Sequence, residues 1–272
     1  MNANQALWEK GDFTQIADCM RQSGVELVER IGVRSGDEVL DLGCGDGTTA
    51  IPAAELCACV TGIDIASNLV EAGRRRAGAA GLANITFQQG DASDLSEIDD
   101  DRFDKVVSIF GAMFAPRPDD VTREMVRVTR PGGTIVMGNW IPGDPTLVAQ
   151  ILKTSAAFTP PPPEGFVSPM LWGQEATVRE RFGTAGIPDD AITCERDSFV
   201  FRHDGPSAEL VDRFVRYYGP TMNAVEAASH SGRDGELHGE LQRLFEAQNQ
   251  SGDPARTEIP ATFLRVTVKK PS

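Results

Sequence analysis

The chain of 272 residues opens on an amphipathic pattern: Ile16, Met20, Val25, Val28 and Ile31 recur at near-helical spacing with charges between them. That spacing predicts a helical arm over residues 1–36. From residue 38 the period changes to short apolar runs separated by helical stretches. Strands are predicted over residues 39–42, 60–63, 85–88, 105–110 and 134–139, with helices over 48–56, 67–80 and 119–129 between them. Ser67 is placed to cap the second of these helices, and Arg130-Pro131-Gly132-Gly133 reads as a stop and turn after the third. Strand–helix alternation implies an α/β fold with a parallel sheet covered on both faces. Beyond residue 140 the alternation loosens. A helix over 175–182, a strand over 191–203, helices over 207–218, 222–228 and 236–248, and a last strand over 262–268 complete the pattern. A final strand arriving after a helical insertion can pair antiparallel. The expected organisation is one structural domain: an arm or lid (1–36), a core (37–140), a connector with a helix and the sixth strand (141–203), a helical cap (204–257) and the last strand (258–272). A four-proline run at 160–163 is extended and semi-rigid.

Three glycines, Gly43, Gly45 and Gly47, follow the first core strand directly and precede a helix. Glycine lets a backbone turn tightly and approach a ligand, and free amides at a helix start favour an anion. Asp64 ends the second strand, 23 residues beyond Asp41, where a carboxylate can take both hydroxyls of a ribose. Gly90-Asp91-Ala92 lies at the tip of the third strand, where an adenine edge would sit. A dinucleotide loop needs glycines spaced G-x-G-x-x-G. The third position here is Thr48, so a nicotinamide-dependent oxidoreductase fits less well, and the loop suits a smaller anion such as an amino-acid carboxylate.

With 40 acidic against 26 basic residues the net charge is −14, a field that repels phosphate backbones and anionic membranes alike; neither is expected as a partner. No apolar run is long enough to span a bilayer, and the first residues show no secretory signal. The five cysteines, Cys19, Cys44, Cys57, Cys59 and Cys194, match no zinc or disulfide spacing. They read as reduced thiols in a cytoplasmic enzyme, and no metal is expected.

The stretches VLDLGCGDG, VTGIDIASNLVEAGRRRA, ITFQQGDASDL, FDKVVSIFGAMFAPRPD and REMVRVTRPGGTIVMGNW, spanning Val39 to Trp140, resemble the core of class I S-adenosylmethionine-dependent methyltransferases. The likeness is to small-molecule enzymes with a ubiquinone/menaquinone-methyltransferase type of core. The resemblance implies a Rossmann-like seven-stranded sheet of order 3-2-1-4-5-7-6 with the seventh strand antiparallel. It implies S-adenosylmethionine as cofactor, leaving as S-adenosylhomocysteine. It also implies that Asp41, Gly43, Cys44, Gly45 and Gly47 line the methionine end. Asp64 would hold the ribose with Ile65 against the adenine. Asp91 and Ala92 would meet the adenine edge, and Ser108 and Phe110 would pass near the methionyl moiety.

After the fourth strand the chain lacks four signatures: the Asn/Asp-Pro-Pro-aromatic of many amino-methylating enzymes, the Pro-Cys of cytosine methylation, the strand-end acid of metal-dependent catechol enzymes, and the spaced thiols of arsenic methylation. The acceptor side is instead apolar and aromatic, so a small apolar or aromatic metabolite is expected. Trp8, Phe13, Met113, Phe114, Trp140, Trp172 and Met222 are the candidate pocket residues. Tyr217, Tyr218 and His203 are the candidates to orient the acceptor or take its proton. A module that binds the cofactor without turnover is the reading outside enzymes. A monomer or homodimer is expected.

Overall fold

In a computed structural model that describes residues 3–272, seven strands form one sheet of order β3-β2-β1-β4-β5-β7-β6. The strands are β1 (Glu38–Leu42), β2 (Cys59–Asp64), β3 (Ile85–Gln89), β4 (Phe103–Ile109), β5 (Thr129–Trp140), β6 (Ile192–His203) and β7 (Thr257–Lys269). The first five are parallel; β7 pairs antiparallel with both β5 and β6. Alternation along each strand sends side chains to opposite faces. Leu40, Leu42 and Val106 therefore join the larger core, and Val39 and Val107 the smaller one.

Eleven α-helices are described: α1 (Ala3–Glu9), α2 (Thr14–Ala17), α3 (Arg21–Arg30), α4 (Ala50–Glu55), α5 (Ser67–Ala79), α6 (Pro118–Val128), α7 (Leu147–Ala156), α8 (Glu175–Thr184), α9 (Ser207–Tyr217), α10 (Gly219–His230) and α11 (Asp234–Gln248). Apolar residues at helical spacing make α6 amphipathic, burying Val121, Met125 and Val128, while α9 buries Leu210, Val211 and Phe214. Helices α9 to α11 lie between β6 and β7 in sequence, as the expected insertion does, and pack on one another, α10 and α11 also on α7. Helix α7 follows β5 and had no counterpart in the sequence reading.

Three local expectations are corrected. Ser67 does not cap α5: it is the first helical residue, and Ala66 stands at the cap with no side-chain hydrogen bond. The carboxylate at that helix start comes from Glu9, whose Oε1 accepts from the Ser67 N–H (2.9 Å) and hydroxyl (2.8 Å). The Arg130–Gly133 segment is not a turn between elements but an irregular start of β5, where the register shifts between Phe103 and Lys105. Gly132 supplies a φ of +76°, Arg130 holds Asp104 at 2.7 Å, and Lys270 exchanges backbone hydrogen bonds with Gly132 and Gly133. The last strand begins at Thr257 rather than 262. It passes through Pro260 because β5 pairs with β7 only from Phe263 onward, so β6 alone flanks the proline.

Candidate active site

The cavity opens at the carboxyl ends of β1 to β4, the place where parallel α/β sheets bind ligands. Counting its open mouth, the space between its lining atoms is about 940 Å3. The glycine loop forms its floor. Gly43 (φ +72°) crosses Gly111 so closely that a Cβ on Gly43 would lie 2.6 Å from the Gly111 Cα, so two strand tips meet backbone to backbone. Gly45 (φ +55°) faces open space. Gly47 (φ +88°) serves packing: a Cβ there would reach Phe87 Cζ at 2.8 Å, and Gly62 and Gly73 press on the same ring.

Four carboxylates line one end, each in a different state. Asp46 is buried and ion-paired: Arg21 grips it with both terminal guanidinium nitrogens (Nη1 to Oδ1 2.7 Å), and Arg76 lies 3.5 Å away. Asp64 accepts from the Gly45 N–H (2.8 Å) with one oxygen and from the Ala66 N–H (2.9 Å) with the other. Burial pushes its pKa up while those amides pull it back. Asp91 uses Oδ1 to take the Ser93 N–H and hydroxyl, leaving Oδ2 3.6 Å from Arg117. Asp41 is the unsatisfied one. It is 2% exposed, its Oδ2 has no hydrogen-bond partner, and burial first and the Asp64 charge second push its pKa up to about 7. A buried carboxylate oxygen without a donor is destabilising on its own and asks for a cation or donor from a ligand.

The other end is apolar. Phe110, Phe199, Ala112 and Ala115 line it, and the N-terminal arm adds Trp8, Phe13 and Met20 to the lining of the cavity. The arm is seated on both sides of the opening. Glu9 binds α5 through Ser67. Lys10 reaches Glu226 (2.7 Å) and Asn223 (2.8 Å) on α10, and Gly11 lies against the Tyr217 carbonyl.

The cavity thus brings together Asp41, Gly43, Cys44, Gly45, Asp64, Ile65, Asp91, Ala92, Phe110, Trp8 and Phe13. The other candidates lie outside its lining. Ser108 is a structural link, donating to the Leu42 carbonyl (2.6 Å) and accepting from the Ala112 N–H (2.9 Å). Trp140 backs Phe110, stacked at 3.7 Å, and Phe114 backs Trp8 edge-on at 5.0 Å. Met113 is buried in the core, and Met222 packs beside Gly11. Trp172 is buried elsewhere, its ring under the Arg181 guanidinium at 4.4 Å and edge-on to Phe182.

Neither tyrosine lines the cavity. Tyr218 sits behind Trp8 and Phe13, where burial pushes its phenol up, so it stays protonated and cannot serve as a base. Tyr217 offers its backbone oxygen to the Gly11 contact. His203 is displaced from the acceptor side altogether: it pairs with Glu209 (3.2 Å) in a separate polar cleft with Arg202 and Arg256. It ends β6 far along the chain from the glycine loop, and periodicity gives no clue to which edge of the sheet that end faces. Cys44 lines the cavity as a thiol that burial pushes well up, which suits a small filler and not a nucleophile.

Sequence reasoning missed Arg21, Asp46, Gly111, Met20 and Phe199. Asp46 stood inside the quoted motif, and an acid buried in a glycine loop needs a cation; the chain gives no signal that Arg21 supplies it. Phe199 was legible only as one apolar position of an alternating strand.

A family model described as a methyltransferase domain matches residues 39–133. Rv1403c of Mycobacterium tuberculosis is 34% identical over 229 residues, 84% of this chain and 81% of that protein. The methyltransferase GfsG of Streptomyces halstedii is 34% identical over 144 residues, covering 51% of this chain and 50% of its own. Among solved structures, Haemonchus contortus phosphoethanolamine N-methyltransferase 2, in complex with phosphomonomethylethanolamine and S-adenosylhomocysteine, superposes with a TM-score of 0.63 at 16% identity. That match covers 100% of this chain and 61% of that one, and shows the fold alone. The chain belongs to the class I S-adenosylmethionine-dependent methyltransferases. S-adenosylmethionine is that family's cofactor, and the residues present fit it: the orphaned Asp41 oxygen suits a cationic ammonium, and Gly45 leaves space for close approach. Membership sets aside the nicotinamide reading.

Proposed function

We propose that this protein moves a methyl group from S-adenosylmethionine to a small apolar or aromatic acceptor. The observation that carries the reading is the division of one cavity into a carboxylate-lined end and an aromatic end. Asp41 and the Gly43–Gly45 backbone would take the methionine end of the cofactor. Asp64 would hold the ribose hydroxyls, and Ile65, Asp91 and Ala92 the adenine. When bound, the cofactor supplies a methyl carbon already activated by a positive sulfur. The chain's own work is then to hold the acceptor in line and keep water out, and alignment of this kind is worth roughly 7–11 kcal/mol in the best cases. Trp8, Phe13, Phe110 and Phe199 do this by enclosing the apolar end. The net charge of −14 supports a small metabolite over nucleic acid as partner. No described helix is long and apolar enough to cross a membrane. The cytoplasmic setting we propose rests on the cysteine spacings, which match no disulfide pattern.

The test is twofold. Wild-type protein titrated with S-adenosylmethionine in a calorimeter should bind, and Asp64→Ala should lose that binding at least about a hundredfold, since it removes a charged hydrogen-bonding group and the brace of the loop. Incubation with methyl-labelled cofactor and a metabolite extract should then yield a labelled apolar product. Cofactor binding without any labelled product would favour a non-catalytic module, and unchanged affinity in Asp64→Ala would overturn the assignment of the ribose site.

A further inference from the structure

Across the sheet, from β3 through β2 and β1 to β4, the strand tips carry Asp91, Asp64, Gly43 and then Phe110. Polar groups stop at β1, and Phe110 is where the cavity turns aromatic. Its backbone is unusual. Phe110 has φ +59°, left-handed for a bulky side chain, and is the one such non-glycine residue among the described residues that lines the cavity. The other two, Cys57 and Asp101, lie at turns away from it. Strain of this kind persists only where the surroundings over-determine it, and it concentrates at ligand sites.

Here the surroundings are explicit. The Phe110 N–H donates to the Gly138 carbonyl (2.9 Å), and Gly111 behind it is wedged against Gly43. The ring lies flat on Trp140, 3.7 Å between centroids and 9° between planes. Phe199 and Phe263 meet it edge-on at 5.2 and 5.1 Å. Gly138 leaves room for the ring, since a Cβ there would sit 3.3 Å from Phe110 Cε1. Trp140 of β5, Phe199 of β6 and Phe263 of β7 thus fix the Phe110 ring at β4's tip, and Phe110 and Phe199, perpendicular to each other, both line the cavity. A turn alone would be made more easily by glycine; the ring is what the strained backbone delivers.

We infer that Phe110 is a specificity-determining residue, holding with Phe199 a rigid wall that selects planar, conjugated acceptors over saturated ones of the same size. This rests on the proposed methyltransfer reading and moves Phe110 from the cofactor to the acceptor. Rigid aromatic walls favour offset or edge-on contact with a second π-system, which a saturated ring cannot return.

The experiment titrates 2-naphthol and its saturated counterpart decahydro-2-naphthol into full-length protein saturated with S-adenosylhomocysteine. Wild type should bind the planar probe about tenfold more tightly or better, a discrimination within reach of an apolar pocket. Phe110→Leu keeps an apolar side chain on the same backbone, and should bring the two affinities within about twofold while S-adenosylhomocysteine affinity shifts by less than about threefold. Phe110→Gly relaxes the backbone and removes the ring, and should lose the preference equally; a preference that returned on relaxing the backbone would assign the effect to strain and overturn the inference. An unchanged ratio in Phe110→Leu, or equal or absent binding of both probes to wild type, also overturns it. If one variant fails to fold, the other still tests the role of Phe110, and the wild-type ratio still tests the preference itself. Failure of S-adenosylhomocysteine to bind wild type sinks the proposed function first, and is read separately from the probe titrations.

Discussion

Arg21 of the N-terminal arm grips the buried carboxylate of Asp46 in the glycine loop, tying the cover of the cavity to its floor. The same guanidinium donates to the Thr48 hydroxyl at 2.5 Å, so one side chain orders the loop from Asp46 into the turn before α4. Asp46 is 1% exposed, and removing its main partner leaves a buried charge with only Arg76 nearby. Breaking a buried pair from one side costs about 3 kcal/mol. Arg21→Ala should therefore lower stability by about that amount in urea titrations, and weaken cofactor binding along with it. Arg21→Ala combined with Asp46→Asn should recover part of the stability, because no unpaired charge is then left buried.

Asp41 ties affinity to pH. Its folded pKa of about 7 lies above the ordinary 3.8. For an acid raised in this way, the folded state holds a proton that the unfolded state has released. The penalty is absent below pH 3.8, grows as pH rises, and is complete above about 7. At full extent it amounts to roughly 4 kcal/mol. Cofactor-free Asp41→Asn should thus be more stable than wild type at pH 8, and close to it near pH 4, by thermal melts across that range. A cationic cofactor beside Asp41 favours the ionised form, so binding at pH 7 should release part of a proton. Calorimetry in phosphate and in Tris, buffers of different ionisation enthalpy, should return different apparent enthalpies; identical enthalpies would place the cofactor's charge elsewhere.

The glycines separate ligand space from fold space. A Cβ on Gly45 would have nothing within 4 Å, so the main cost of Gly45→Val to the fold is the strain of a β-branched residue at φ +55°, about 1–3 kcal/mol. It should fold and fail to bind cofactor. Gly111→Ala is the opposite case: its Cβ would lie 2.4 Å from the Gly43 carbonyl oxygen, and two backbones must part to admit it. Its melting temperature should fall further than that of Gly45→Val.

What was legible in the chain was whatever lies close together in sequence. The strand tips bearing Asp41, Asp64 and Asp91 were readable because glycine spacing and apolar runs are local signals, and the strand order came with the family resemblance. What escaped depends on contacts made across the chain. Glu9 replaces Ser67 at the head of α5 from 58 positions away. Gly111 matters only because Gly43 crosses it. Trp172 and His203 are of the right types for a site, and periodicity cannot say which cavity an aromatic or a histidine faces.

The arm offers the last test. Glu9, Lys10 and Gly11 are consecutive: Glu9 bonds α5, Lys10 bonds α10, and Gly11 accepts from Asn68 of α5 (3.3 Å) while packing on the end of α9. Docking is therefore a joint property of core and insertion, and a lesion in any one of them loosens the cover. A Cβ on Gly11 would meet the Tyr217 carbonyl oxygen at 2.7 Å and Met222 Sδ at 2.8 Å; the sulfur can swing away, the carbonyl cannot. Gly11→Ala should leave global stability nearly unchanged while speeding tryptic cleavage after Lys10 about tenfold, since proteolysis follows the population of the open form. Glu9 adds a pH dependence, because the Ser67 N–H, then the Gln5 amide and the Ser67 hydroxyl, hold its carboxyl below the ordinary 4.5. Its contribution to docking is present above pH 4.5 and is lost as pH falls through the lowered value. Amide exchange over residues 3–13, corrected for the intrinsic pH effect, should rise below pH 4 in wild type and show no such step in Glu9→Gln.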